Sequence, residues 1–209
     1  ANRVSTQSAW PYAAGYLLWH NSSVPEANLS AGITDEYFDG IGWATMRSGW
    51  GANDVFAIFH SGNYYFGHQH YDQNSFQIFK STPLAIDNGP YGSGLPNEKT
   101  ATRFHNAVLV GPVGAASSAN DGSSGQTGAS PMSFIADPEN SSSDKGDISK
   151  FESGSGYTYT IGDATKAYDS ARLTNYVRKF LFIKPDYFIV FDKISLPNVS
   201  YPIRWLLQA

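Results

Sequence analysis

The chain contains no cysteine, which excludes disulfide bonds and thiolate metal ligands. It has no apolar run long enough to span a membrane, and its N-terminus lacks the basic-then-apolar pattern of a signal peptide. A surplus of basic residues is missing as well, because 14 Lys and Arg stand against 18 Asp and Glu, for a net charge of −4. We therefore expect neither a nucleic-acid partner nor a membrane span.

The residues that are abundant are typical of a strand-and-turn protein with one main domain. The 209 residues include 20 glycines and 11 prolines, and 41% are hydrophobic, enough for the core of one large antiparallel β-sandwich. A serine, an early proline and bulky apolar residues predict one short helix over 8–20. Gly- and Ser-rich stretches predict loops at 111–130 and 140–145. Apolar patterning predicts strands at 42–48, 54–60, 63–80, 83–87, 105–110, 131–136, 147–153, 157–163, 172–183, 187–194 and 201–208.

Three of the five histidines lie near one another in the sequence, together with two carboxylates. Side chains on a regular strand repeat every two residues, so His68, His70 and Asp72 are expected to share a face. Asp87 and His105 follow at spacings over which neighbouring strands can fold back. Two neutral imidazoles and one carboxylate, with a fourth position open, form an ordinary zinc set, for which we select His70, Asp87 and His105. His68 then remains beside the metal for chemistry.

Spacing alone leaves other interpretations open. A His-x-His pair on a strand can be a solvent-facing accident or a hydrogen-bonded core pair, and Asp87, before Asn88-Gly89, can be a turn former. No Cys-x-x-Cys or His-Glu-x-x-His motif is present to sharpen the metal hypothesis.

Several motifs in a fixed order are more specific than this spacing. They are MRSGW at 46–50, FGHQHYDQNSF at 66–76, LAIDNG at 84–89, HNAVLV at 105–110, YVRKFLF at 176–182 and PDYFIVFD at 185–192. In this order they resemble the C-terminal β-sandwich portion of the heparinase II/III-like polysaccharide lyases. The resemblance covers most of residues 36–209.

The resemblance implies a particular organisation. Lyases of this family join an N-terminal α/α toroid to a C-terminal antiparallel β-sandwich, with the active site between them. We therefore expect 1–35 to be a helical tail or linker from a preceding toroid and 36–209 to be the sandwich, incomplete at its C-terminus. The toroid itself is expected as a partner, in the same polypeptide or as a separate chain. A bacterial periplasmic or secreted location is expected, with any signal already removed.

The resemblance also implies a reaction, β-elimination at a uronic acid of an acidic polysaccharide. It assigns zinc to His70, Asp87 and His105 and turns His68 toward the substrate cleft, where it neutralises the uronate carboxylate or takes part in proton transfer. The family's tyrosine base and its other catalytic histidine or asparagine come from the toroid and match no residue here. Because elimination needs no activated water, we favour a structural zinc that organises the loop carrying His68.

Other candidate site residues are chosen by their nearness to these motifs. They are Asp72 and Asn106, which would orient an imidazole, Arg47 and Arg103, which would face uronate carboxylates, and Tyr71, which would line the cleft.

Two alternatives from other function classes stay open. A cupin-type metal-dependent oxygenase also uses two histidines and a carboxylate on a β scaffold, although no glutamate follows this His-x-His at short spacing. A non-catalytic carbohydrate-binding sandwich would explain the strands and the aromatic content equally well. The sequence does not indicate which uronate polymer is the substrate.

Overall fold

A computed structural model describes residues 18, 21–25, 28–64, 69–87, 100–111, 124–127 and 143–209. The chain divides into two compact units, 1–32 and 33–209. In the first unit Leu18 is helical and Leu29–Ala31 form a 3-10 helix. The rest of the helix predicted over 8–20 lies outside the described residues. None of the helices in the described part has the length and apolar content that a membrane crossing requires.

The second unit is built from antiparallel strands, which confirms the prediction of a mainly β protein. β1 to β5 form one sheet in sequence order, β7 to β10 form a four-stranded sheet, and β6 pairs with β11. The strands are β1 (Glu36–Phe38), β2 (Trp43–Arg47), β3 (Val55–His60), β4 (Ser75–Lys80), β5 (Thr82–Ala85), β6 (Val108–Val110), β7 (Asp147–Gly154), β8 (Tyr157–Asp163), β9 (Asn175–Ile183), β10 (Tyr187–Ser195) and β11 (Ile203–Trp205). Further 3-10 helices are Asp39–Ile41, Thr102–Phe104 and Thr165–Ala167.

The two larger sheets bury their inner faces in one shared core. Alternate side chains of each strand point inward because the side-chain period of a strand is two. Phe59 and Phe76 of the first sheet meet Phe180 of the second at ring-centroid distances of 5.6 and 5.0 Å. A second buried cluster lies beneath the β6–β11 pair and includes Val108, Leu173 and Tyr176. β6 therefore contributes Val108 and Val110 to this second cluster.

A buried carboxylate joins the two large sheets near one end of β2. Asp35, just before β1, accepts hydrogen bonds from Lys184 Nζ, Thr158 Oγ1 (2.8 Å) and Ser153 Oγ (2.9 Å). Burial by itself would raise the pKa of Asp35, but these donors outweigh it and lower the pKa below its usual value. The main-chain N–H of Arg47 also donates to Asp35, at 3.3 Å. This contact places Asp35 at the end of β2 opposite Trp43.

Several predicted strands are shorter in the structure, and one was wrong over half its length. The prediction of a continuous strand over 63–80 was wrong, because 63–64 and 69–74 are irregular and, of the residues described in this range, Ser75–Lys80 alone form a strand. The reason is a turn in which Ser75 N–H donates to Asp72 O at 3.0 Å and Asn74 adopts φ 59°. β1 was not predicted, and the strand predicted at 131–136 lies outside the described residues.

Candidate metal centre

His70, Asp87 and His105 come together in the folded chain. One ligand atom from each lies within 4.8 Å of the other two. The His70 and His105 rings have centroids 5.1 Å apart, and Asp87 Oδ1 lies 2.9 Å from His105 Nδ1. The three residues are called the metal group below.

Each member of the metal group lies outside a strand, and two of them, Asp87 and His105, are attached to one. His105 follows the 3-10 helix Thr102–Phe104 directly and precedes β6, which makes the strand predicted at 105–110 begin at Val108 instead. Asp87 lies two residues beyond β5, and Gln77 Nε2 of β4 donates to its Oδ2 at 3.1 Å. Asp87 is therefore held by the first sheet, and His105 is held by its connection to β6, which contributes to the second buried cluster.

His70 belongs to the irregular segment 69–74 that precedes β4. The neighbouring Tyr71 N–H donates to Thr100 O at 2.8 Å, which joins this segment to the one that carries His105. The side-chain amide of Gln126 both accepts from Gln73 N–H and donates to Gln73 O, each at 2.8 Å. The loop carrying His70 is therefore fixed by hydrogen bonds rather than by a sheet.

The buried polar atoms of the metal group fit a cation. His105 is fully buried, and neither of its ring nitrogens has a hydrogen-bond partner. Asp87 Oδ1 is likewise buried without a hydrogen bond, so its 2.9 Å approach to His105 Nδ1 lacks hydrogen-bond alignment. Buried polar atoms normally find partners, and a metal ion would satisfy an imidazole and a carboxylate oxygen together.

The two imidazoles have opposite pKa shifts. Burial lowers the pKa of His70, which favours the neutral ring that a metal ligand requires. Burial also disfavours charge on His105, but the Asp87 and Asp72 carboxylates outweigh it and raise its pKa. A bound cation would take the place of the proton that these carboxylates attract to His105.

Asp72 occupies a different position from the one predicted. It does not share a strand face with His70, because 69–74 is not a strand; its Oδ1 instead lies 3.4 Å from His60 Nδ1. Burial would raise the pKa of Asp72, but the neighbouring imidazoles, that of His60 first, lower it to about 2. Asp72 therefore adds negative charge beside the metal group.

Asn106 and Tyr71 are held by contacts other than those expected of them. Asn106 Nδ2 donates to Phe76 O at 2.7 Å and its Oδ1 accepts from Gln208 N–H at 2.6 Å, so its amide ties main chains together rather than orienting an imidazole. Tyr71 is buried with its ring edge-on to Tyr64, which leaves little of its side chain for a cleft wall.

The two candidate arginines lie in different regions. Arg103 is half-buried in the 3-10 helix that precedes His105, with its guanidinium 4.7 Å from the Phe104 ring centroid. Arg47 ends β2, and its guanidinium stacks on Trp50 at 4.3 Å and on Phe56 at 4.0 Å. The structure therefore brings Arg103, but not Arg47, next to a segment of the metal group. His68 lies outside the described residues.

Sequence reasoning missed two buried groups near this site. His60 ends β3, where the strand register sets it opposite Ser75, and Trp43 packs edge-on to its ring at 5.8 Å. The other group is the ion pair of Arg178 with Asp192. In the sequence, each member of this pair is a charged residue at an inward-facing position of a largely apolar strand, β9 for Arg178 and β10 for Asp192. Buried charges are rarely unpaired, so these two residues could have been matched.

Two packed antiparallel sheets with a group of two histidines and an aspartate beside them define a β-sheet protein with a candidate His/Asp metal centre. The sequence profile of a family described as Heparinase II/III-like, C-terminal, matches residues 32–209. The chain therefore belongs to this heparinase II/III-like family. No curated protein sequence matches the chain.

Solved structures of lyases share the fold. A mutant of the heparan sulfate lyase HepC from Pedobacter heparinus is similar with a TM-score of 0.59 and 20% identity, over 96% of this chain and 28% of that one. A second HepC structure gives 0.55 and 20%, over 90% and 26%. Heparinase III, the BT4657 gene product, gives 0.57 and 17%, over 79% and 23%. The chain thus spans about a quarter of the length of these lyases.

Proposed function

We propose that this chain supplies the metal-binding β part of the active site of a polysaccharide lyase, which cleaves an acidic polysaccharide by β-elimination at a uronic acid. The observation that carries the proposal is the meeting of His70, Asp87 and His105 within 4.8 Å, in a domain of the heparinase II/III-like family.

The metal group suits zinc held by two imidazoles and one carboxylate. When bound, the ion would supply positive charge and a crosslink among three segments of the chain. His70, Asp87 and His105 would hold it, and Asp72 would add negative charge nearby. We favour a structural role for the ion because elimination needs no activated water.

His68 is the residue that we propose for chemistry. Two peptide units join it to His70, so the Cα atoms of these residues are at most about 7 Å apart. Fixing His70 on the ion therefore limits where His68 can lie. An imidazole titrates near neutral pH, so His68 can neutralise the uronate carboxylate as a cation or take part in proton transfer.

The proposed reaction balances without an oxidant or a co-substrate. A base removes the C5 proton, the electron pair of that C–H bond forms the C4–C5 double bond, and the C4–O bond breaks. An acid protonates the departing oxygen, which leaves an unsaturated uronate at the new non-reducing end. Neutralising the C6 carboxylate makes the C5 proton acidic enough to remove.

We propose that the base and the acid belong to an α/α toroid that acts with this chain, in the same polypeptide or as a separate one. Residues 1–35 would be the end of that toroid and 36–209 the sandwich portion. The comparison with lyases of which the chain covers about a quarter supports a partial active site here. The expected periplasmic or secreted location stays a prediction.

The test is an assay for unsaturated uronate on a preparation that contains both the toroid and this chain, with heparan sulfate, heparin and alginate as substrates. Heparan sulfate comes first because HepC, which shares the fold, is a heparan sulfate lyase. We expect product from one of these polymers and none from the His68→Ala variant. Binding of a polymer without any elimination would favour the carbohydrate-binding alternative, and iron-dependent oxygen consumption would favour the oxygenase.

A further inference from the structure

We propose that Arg178 is a positioning residue for the metal group, an inference that rests on the proposed function. Arg178 is a fully buried cation on β9. Its Nη1 donates to two main-chain carbonyls, Asn74 O at 2.7 Å and Asn106 O at 2.5 Å. One nitrogen atom therefore holds two segments of the chain together.

Both segments carry a ligand of the metal group. Asn106 directly follows His105, and Asn74 ends the irregular segment 69–74 that contains His70. Neither segment forms a strand where its candidate ligand lies, so no strand pairing sets the distance between the imidazoles of His70 and His105. The shared donor on Arg178 joins the two main chains on one side, in addition to the bond from Tyr71 N–H to Thr100 O.

The orientation of Arg178 is itself fixed. Its Nε and Nη2 donate to the two carboxylate oxygens of Asp192 on β10, at 2.7 and 2.8 Å. Trp205 Nε1 donates to Asp192 Oδ2 at 2.9 Å, and Phe76 lies 5.5 Å from the guanidinium. The planar guanidinium donates two parallel hydrogen bonds to the carboxylate, which fixes one relative orientation of the two groups. A lysine ammonium cannot form this pair of bonds.

One residue from each of the two motifs at 176–182 and 185–192 thus acquires a role at the metal group. Arg178 and Asp192 lie opposite each other in the β9–β10 register, with their side chains on the inner face. Because this pair lies on the four-stranded sheet, it holds the segment that ends at Asn74 and the segment that contains Asn106 in fixed positions relative to that sheet. Partners that orient metal ligands in this indirect way typically change metal affinity about 10- to 100-fold when they are removed.

The test compares Arg178→Lys with Lys184→Met in the full chain. Arg178→Lys keeps a cation beside Asp192 but removes the fork that reaches both carbonyls. Lys184→Met is the matched control, because it removes the cation of the other buried ion pair, at Asp35, near the opposite end of β2 from His60. Zinc affinity is measured by chelator competition, at a temperature where both apo-proteins are folded.

We expect Arg178→Lys to weaken zinc binding about tenfold or more and Lys184→Met to leave it unchanged, although both lower the melting temperature. Equal zinc affinities in the two variants would overturn the proposal and leave Arg178 a purely structural residue. Should Arg178→Lys not fold, the double variant Arg178→Met/Asp192→Leu, which leaves no buried charge, serves in its place.

A second readout needs no metal. In the apo-proteins, hydrogen exchange of the His105, Ala107 and Tyr71 amides is expected to be faster in Arg178→Lys than in Lys184→Met, relative to the amides of β8. Equal exchange would contradict the positioning role. A wild-type chain that binds no zinc would refute the proposed function, whereas the exchange comparison would still decide the role of Arg178.

Discussion

At the scale of single residues, the buried polar atoms of His105 and Asp87 carry the most information. His105 is fully buried with neither ring nitrogen in an aligned hydrogen bond, and Asp87 Oδ1, which also lacks one, lies 2.9 Å from its Nδ1. Leaving a buried donor or acceptor unsatisfied costs about 1–3 kcal/mol. A metal ion at this position would remove that cost, so metal binding and folding should be coupled.

Substitution of His70, Asp87 or His105 by Ala is expected to lower metal content and zinc-dependent stability together, because each change removes one ligand atom from the group. Metal content and thermal melting with and without zinc measure the two effects. His68→Ala is the control, since it is proposed for chemistry and should spare both. Loss of metal in His68→Ala would show that our division of roles between the two histidines is wrong.

Asp35 gives a pH prediction at the same scale. Its pKa is lowered in the folded chain, chiefly because the donors led by Lys184 outweigh burial. A lowered carboxylate pKa contributes stability that is present above the unfolded value of about 3.9 and is lost as the pH falls through the folded value.

The variant Asp35→Asn should therefore be less stable than the wild type at neutral pH and show a smaller loss of stability between about pH 5 and the folded pKa. Urea unfolding at a series of pH values measures both curves. The exposed Asp186→Asn is the control, because its ion pair with Lys80 is solvent-exposed and should contribute little. Parallel curves for wild type and Asp35→Asn would contradict the assignment.

The metal ligands were predictable from residue type and order, but their neighbours were not. Asp72 was placed on a strand face beside His70, whereas its turn position sets it against His60. The contact pairs the end of β3 with a loop twelve residues later, and no local pattern encodes it. Long-range contacts of this kind depend on the path of the loop, which sequence periodicity does not specify.

At the scale of elements, alternation predicted the strands that lie between a core and an open face. β8, β9 and β10 match their predicted positions closely because every second side chain is buried. The sequence of 61–74 contains aromatic and polar residues that mimic alternation, but the backbone of the described residues 69–74 is held by Gln126 and by the Asp72–Ser75 turn. Gln126 lies in a stretch predicted only as a loop, so its two hydrogen bonds with Gln73 were not foreseeable.

Gly162 on β8 is the element-scale test of this packing. A Cβ at this position would lie 2.1 Å from Asn74 Oδ1 and 2.7 Å from the Phe59 ring, so Gly162→Ala must displace both. We expect a loss of about 1–3 kcal/mol in unfolding free energy, measured in urea. Gly156→Ala is the control, because nothing lies within 4 Å of its Cβ position. Equal stabilities of the two variants would contradict this packing.

At the scale of the whole molecule, an ion bound by the metal group would crosslink three separate segments of the chain. The segments that carry His70, Asp87 and His105 join β4, β5 and β6, respectively, to the rest of the chain. An ion that binds only the folded chain stabilises it by mass action, by about 2.7 kcal/mol at a hundredfold excess over the dissociation constant. Metal removal should therefore affect the stability of the folded chain as a whole.

Treatment with a chelator is expected to lower the melting temperature of the wild-type chain, and added zinc should restore it. Calorimetry of apo- and zinc-loaded protein provides the measurement. The His70→Ala variant should melt at the same temperature in both states. A wild-type melting temperature that changes neither with chelator nor with added zinc would argue against a crosslinking ion.

The most direct test of the account is the metal content of the purified chain by plasma mass spectrometry, with His70→Ala measured in parallel. We expect about one zinc per chain, bound by His70, Asp87 and His105, and its loss in the variant. Iron in place of zinc would favour the oxygenase alternative. No metal in the wild type, after incubation with zinc, would contradict the proposed site.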